Sequence, residues 1–242
     1  MDFGLFRRIV DELAGLRYSG FLAFHNYNEP LLNRRILDEI TYATAVMPNV
    51  RPAIYTNGDV LDRGMFRQLI EVGVAYVRVT RYPRHATTPP SRQAIDAWLR
   101  RAGLLEEYQW RYRTVRQGFA AVLDAPGFTA EVISPAITDA YNHRGGSVTT
   151  LPMLARVRTE PCLMTATSAV IDYRGRMKMC CCVYPEVPAH AGYVIGDLHR
   201  SGFVELWESA QMDRYRRAHS RADWSLSPAC ALCVQPLPEN RR

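Results

Sequence analysis

The sequence predicts an α/β protein with a parallel sheet, followed by a small domain organised by cysteines. Two observations carry this. Helix-like and strand-like segments alternate through residue 80, the order that parallel strands joined by right-handed crossovers require. All six cysteines lie at or beyond position 162, so their chemistry belongs to the C-terminal part. The loop composition Asn142-His143-Arg144-Gly145-Gly146-Ser147 then sets the boundary, giving domains over residues 1–148 and 149–242. At 242 residues and 48% hydrophobic, the chain can bury a substantial core.

Phe6, Ile9, Val10, Leu13 and Leu16 recur at helical spacing, and Asp2 can cap the helix they define. Gly20-Phe21-Leu22-Ala23-Phe24 is short and apolar throughout, which reads as a strand buried on both faces. A polar stretch from His25 to Pro30 precedes a second helix through Ile36, Leu37, Ile40 and Ala43. The strand Ala53-Ile54-Tyr55-Thr56 ends in the turn pair Asn57-Gly58. A third helix near Met65, Phe66, Leu69 and Ile70 leads to the strand Ala75-Tyr76-Val77-Arg78-Val79. Functional groups in such folds gather in the loops after strand carboxyl ends, here residues 25–30, 57–59 and 81–85. Ser91 caps a helix holding Ile95, Trp98 and Leu99, and strands are expected over 108–115 and 129–133. Beyond the boundary, residues 169–173 and 176–180 flank a turn containing Gly175, a hairpin pattern. A helix near Phe203, Leu206 and Trp207 precedes the pair Cys230-x-x-Cys233.

The formal charge of +6 does not point to nucleic acid. Lys178 is the single lysine among 30 basic residues, a skew that fits codon usage in a GC-rich genome, and the arginines are scattered beside acids. No apolar run reaches the roughly 18 residues that span a bilayer, and Met1 to Phe6 lacks the basic start of an export signal. The expectation is a cytoplasmic protein with neither nucleic acid nor membrane as partner. Its cysteines then serve metal or redox chemistry rather than disulfides. Cys162, Cys180, Cys230 and Cys233, presented from a hairpin and a tight turn, can converge on an iron–sulfur cluster. A structural zinc tetrahedron is the alternative, although zinc ribbons use two CxxC knuckles and only one is present. Cys181 and Cys182 read as buried thiols alternating along a strand, one of which can approach the site.

Cys162, Gly175 and Cys180, the later Gly196-Asp197-Leu198, the Leu206-Trp207 helix and the final CxxC together resemble the auxiliary-cluster domain of radical S-adenosylmethionine (SAM) enzymes. The likeness is to the short "twitch" form of the SPASM domain, which implies one [4Fe-4S] cluster on Cys162, Cys180, Cys230 and Cys233. Upstream, Tyr27-Asn28-Glu29-Pro30 is similar to the Gly-Glu-Pro motif that binds the methionyl amine of SAM in that superfamily. Ile54-Tyr55-Thr56-Asn57-Gly58 looks like its Thr-Asn-Gly strand end. The implied cofactor-binding set is Tyr27, Asn28, Glu29, Pro30, Thr56, Asn57 and Thr80. Read from the residues alone, Glu29 is equally a carboxylate favoured at a helix start.

The resemblance implies a partial (β/α) barrel of the radical SAM type, N-terminally truncated, with a SPASM/twitch-like domain after it. One departure matters. The family's CxxxCxxC loop has no counterpart ahead of Cys162, so SAM is expected to bind weakly and not to be cleaved by the chain as it stands. The implied function is a cluster-binding protein of a specialised biosynthetic pathway acting on a small-molecule or peptide substrate. It is a radical enzyme if a native extension or a partner supplies the missing loop. The alternatives are a non-catalytic partner or electron relay of a complete radical enzyme, and a structural zinc protein. Asn142 and Arg144 are candidates to reach a carboxylate at the domain junction. The strand over residues 20–24 carries no Pro, Lys or inward charge, so its edge is expected to be covered by a second copy, a partner protein, or the segment from Pro236 to Arg242.

Overall fold

The computed structural model describes residues 1–85, 87–115, 118–137, 148 and 157–233. The chain divides into two compact units, Phe6–Ile137, and Thr138–Arg242 together with Met1–Leu5. The expected boundary loop with Asn142 and Arg144, and the segment from Pro236 to Arg242, lie outside the described residues.

Helix α1 (Phe3–Gly15) starts where Asp2 accepts the Leu5 amide at 3.1 Å, and it stops before Leu16, which is exposed. The first sheet contains β1 (Phe21–Ala23), β2 (Arg51–Thr56), β3 (Tyr76–Thr80), β4 (Arg111–Val115), β5 (Gly118–Ala125) and β6 (Phe128–Pro135). Their order is β1-β2-β3-β6-β5-β4. Neighbours among β1, β2, β3 and β6 run parallel, while β5 and β4 add as an antiparallel meander, so the sheet is mixed. The sequence reading had no strand at β5.

Helices α2 (Ile36–Val46), α3 (Arg63–Glu71) and α4 (Arg92–Arg101) cover one face of this sheet. Their apolar stripes bury Ile40, Phe66, Leu69, Ile95 and Leu99 against Ile54, Val77 and Val132. Each such side chain contributes roughly 1.5–3 kcal/mol of transfer free energy. The predicted Ser91 cap forms, accepting the Ala94 amide at 3.4 Å, and Asp62, which the sequence reading did not name, caps α3 by accepting the Met65 amide at 2.8 Å.

Strand β1 departs from expectation. Phe21 is 43% exposed and Ala23 is exposed; among the described strands β1 stands at the end of the sheet with β2 alone beside it. Phe21 is instead covered by the Arg51 guanidinium, 4.2 Å from its ring centroid. The outer edge also carries a device that the sequence reading missed. Gly20 O and Phe24 N bond to β2, so alternation turns the Phe21 carbonyl outward, where the Tyr18 hydroxyl donates to it at 2.7 Å.

The C-terminal unit begins its described part with α5 (Met164–Thr167), then a three-stranded antiparallel sheet of β7 (Val170–Ile171), β8 (Arg176–Lys178) and β9 (Val194–Asp197). Gly175 turns the hairpin at φ +81°, a conformation that glycine adopts without a steric cost. Helices α6 (Phe203–Trp207) and α7 (Ala210–His219) follow; α7 was not anticipated. A Cβ on Gly196 would come within 2.5 Å of Leu206, so the small residue lets β9 pack closely on α6.

Candidate functional site

Five cysteines line one cavity in the C-terminal unit: Cys162, Cys180, Cys182, Cys230 and Cys233. Cys162 precedes α5, and its amide donates to the His219 carbonyl at the end of α7 at 3.0 Å. Strand β8 ends at Lys178, so Cys180, Cys181 and Cys182 sit on a turn and not on the strand that the sequence suggested. The turn closes with Val183 N to Cys180 O at 3.2 Å, and the three sulfurs lie within 4.8 Å of one another. Cys230 and Cys233 occupy a 3₁₀ turn over Pro228–Leu232 and its C-cap, where the Cys233 amide donates to Cys230 O at 3.1 Å. Met164, Met179, Val183, Tyr193 and Trp224 complete walls that are almost wholly apolar.

Burial raises the Cys162 thiol above its ordinary range and pushes Cys230 up to about 12. Cys180 is also held protonated, because its thiol donates to Cys181 and then to Cys182, with burial adding to this. Such thiols lose their protons when a metal cation replaces them. His219, 1% exposed, is driven to about 4 by burial and meets Ser227 Oγ at 2.7 Å, so it is a neutral wall and not a competing cation. Soft sulfur donors around a carboxylate-free described lining fit a thiolate-ligated iron–sulfur cluster.

Two buried cations frame the cavity, and sequence reasoning missed both. Arg158, 7% exposed, donates to the carbonyls of Glu160 at 2.8 Å, Pro161 at 2.9 Å and Cys233 at 3.5 Å. Its own amide donates to Ala231 O at 2.7 Å, which ties the strand of chain entering Cys162 to the CxxC turn. Lys178, fully buried, donates through Nζ to Val183 O at 2.7 Å and braces the Cys180–Cys182 turn; burial lowers its pKa to about 8. That it is the chain's single lysine was visible in the sequence, but nothing there marked it as buried.

In the Phe6–Ile137 unit, Glu29, Thr56 and Asn57 come together at the carboxyl end of β2. Glu29 Oε1 accepts from Thr56 Oγ1 at 2.6 Å and from the Leu31 amide at 3.2 Å, while Oε2 accepts from the Asn57 amide at 2.8 Å. Glu29 therefore caps the 3₁₀ turn Pro30–Leu32, and it retains acceptor capacity on Oε2 for one further donor. Tyr27 lies in the left-handed region at φ +62°, a strained position for a bulky residue and one that clusters at ligand sites. Asn28 folds back, accepting from the Asn26 amide at 2.6 Å and donating to Phe24 O at 3.3 Å. Pro30 opens the turn. Thr80 ends β3 and stays outside this hydrogen-bonded group. Gly58 sits at φ +72° against Val79 and Trp98, which explains the Asn-Gly pair as a packed turn.

The sheet face away from the helices is mixed, with a polar group around Glu131 beside the small apolar cluster of Ala120, Val122 and Ile133. Pairing sets Tyr55 beside Arg78 and Arg78 beside Glu131. The Glu131 carboxylate accepts from Tyr76 at 2.7 Å, from Arg78 at 3.0 Å and from Arg113 at 3.0 Å. Burial opposes its charge, yet the Tyr76 hydroxyl and the Arg78 cation outweigh burial and hold the carboxyl below its ordinary range. His25 stacks on Tyr55 at 4.2 Å and Tyr55 lies 5.6 Å from Tyr76. The sequence listed none of Tyr76, Arg78 or Glu131 as a site residue, since strand pairing alone brings them together.

Residues 162–234 match the SPASM model, an iron–sulfur cluster-binding domain. Over 234 residues the chain is 22% identical to the S-adenosyl-L-methionine-dependent 2-deoxy-scyllo-inosamine dehydrogenase of Niallia circulans, covering 96% of this chain and 80% of that protein. The crystal structure of BtrN in complex with AdoMet and 2-DOIA shares the fold with a TM-score of 0.70, at 21% identity, covering 97% of this chain and 80% of that one. BtrN in an open conformation, as its selenomethionine form, gives 0.63 at 19% identity with the same coverage. No helix among the described residues is long and apolar enough to cross a membrane.

Proposed function

We propose that this chain binds one [4Fe-4S] cluster through Cys162, Cys180, Cys230 and Cys233, and that it serves a specialised biosynthetic pathway acting on a small polar molecule. The five-sulfur apolar cavity within the SPASM match carries the first part. When bound, such a cluster supplies one-electron redox chemistry. The sheet reads as a partial (β/α) barrel, its polar group around Glu131 the platform for substrate. Arg78, Glu131, Tyr76 and the stacked His25–Tyr55 pair offer hydrogen bonds and aromatic faces that suit a hydroxylated ring, the class to which the substrate in the relative's name belongs. Glu29 is the acceptor for the SAM ammonium, since a carboxylate with spare capacity favours a charged donor.

A second reading is favoured by the cysteine positions: no CxxxCxxC precedes Cys162 in these 242 residues. On that reading the chain relays electrons to, or acts beside, a complete radical enzyme. The test is 5′-deoxyadenosine formation from SAM by cluster-loaded protein with a strong reductant, alongside SAM binding to wild type and Glu29→Gln. Weak binding that falls about tenfold in Glu29→Gln, with no 5′-deoxyadenosine above background, is expected. Reductant-dependent product would overturn the incapacity, and unchanged binding in Glu29→Gln would overturn the role of Glu29.

A further inference from the structure

A cubane cluster takes four thiolates, and the cavity offers five. The surplus arises in the turn Cys180-Cys181-Cys182. Cys181 is not among the described residues lining the cavity, whereas Cys180 and Cys182 both are, at 9% and 7% exposure. The turn fixes this arrangement. Val183 N bonds to Cys180 O at 3.2 Å, the buried Lys178 holds Val183 O at 2.7 Å, and the Cys182 amide points at Cys180 Sγ across 3.5 Å. Both residues thus line the same cavity, Cys180 at the start of a single tight turn and Cys182 within it.

Cys182 faces the other ligand candidates across the cavity, as Cys180 does. Cys182 is hydrogen-bonded to Cys233, and it interacts electrostatically with both Cys162 and Cys230. The strongest partners of Cys180 and of Cys182 alike are their neighbours in the turn.

We propose that Cys182 is a second ligand-competent thiol at the cluster corner that the sequence pattern gives to Cys180, so that either residue can complete the coordination and the site holds one spare thiol. This rests on the cluster reading above. A site of this kind tolerates loss of one triad thiol, by substitution or by oxidation, without losing iron. The thiol not used remains in the wall beside the cluster.

The test compares wild type with Cys180→Ser, Cys182→Ser, Cys181→Ser and the Cys180/Cys182 double variant, all reconstituted anaerobically with iron and sulfide. Far-UV circular dichroism confirms folding, and Cys180→Ala serves if Cys180→Ser does not fold. Iron and sulfide are counted and the reduced proteins are examined by electron paramagnetic resonance. Each single variant is expected to hold about four iron per chain, as wild type does, with an altered signal in Cys180→Ser; the double variant is expected to lose at least three quarters of its iron. A folded Cys180→Ser or Cys180→Ala as iron-poor as the double variant, or an iron-poor Cys182→Ser, would overturn the interchange. Wild type without iron would instead overturn the cluster reading itself.

Discussion

Arg158 shows how one side chain can set the geometry of a site to which it contributes no thiol. Its guanidinium joins carbonyls on both sides of the cavity, and its own carbonyl accepts from Trp224 Nε1 at 2.7 Å. Arg158→Ala leaves these buried acceptors unsatisfied, at an expected cost of roughly 3 kcal/mol in the unfolding free energy of the protein. Denaturant unfolding of the cluster-free protein measures it, and a change below about 1 kcal/mol would show the clamp to be dispensable. At this scale the sequence was informative about chemistry and silent about support. The four spaced cysteines and Glu29 could be named from residue type and motif, because thiolates and a carboxylate before Pro are rare signals. Arg158 is one arginine among many, and Lys178 is buried only because the Cys180 turn wraps its ammonium.

The sheet supplies the polar group around Glu131, and its elements differed in legibility. Strands β2 and β3 and helices α2 to α4 follow apolar periodicities that the sequence displays openly. Strand β5, Gly118–Ala125, buries consecutive residues Ala120, Ala121 and Val122 and so both faces, which leaves no polar alternation to mark it; the Pro126-Gly127 turn pair before β6 was the signal available, with Gly127 at φ +75°. Helix α7 is polar along most of its length, and its start is set by Ser209, which accepts the Met212 amide at 3.3 Å. Glu131 depends on this sheet order for its partners. Its lowered pKa contributes stability that is present above the ordinary carboxyl value of 4.5 and is lost as pH falls through the lower folded-state value. The difference in melting temperature between wild type and Glu131→Gln is therefore expected to shrink between pH 5 and about 3. A gap that is constant across that range would mean Glu131 is not held ionised by Tyr76 and Arg78. At the sheet edge, Tyr18 satisfies the Phe21 carbonyl, yet β1 pairs on one side alone among the described strands. Hydrogen exchange should report protection at Leu22 and Phe24, which face β2, and rapid exchange at Phe21 and Ala23 in dilute monomer. Slowed exchange at Phe21 and Ala23 with rising protein concentration would reveal a second copy covering the edge, and free exchange at all four would contradict the sheet assignment.

At the scale of the molecule the chain forms two units, one built on a mixed sheet that carries the Glu29 and Glu131 carboxylate groups, and one whose residues 162–234 match the SPASM model. The cysteine-lined cavity was legible from the cysteines' confinement to the C-terminal part, while the Glu131 cluster was not, because it is assembled across four strands. The account stands on the metal. Anaerobically reconstituted protein labelled with ⁵⁷Fe should contain about four iron and four sulfide per chain, and its Mössbauer spectrum should show the single valence-delocalised site of an all-thiolate [4Fe-4S]²⁺ cluster. Colourless protein holding stoichiometric zinc after anaerobic purification from iron-supplemented cells, or iron bound without sulfide, would contradict it.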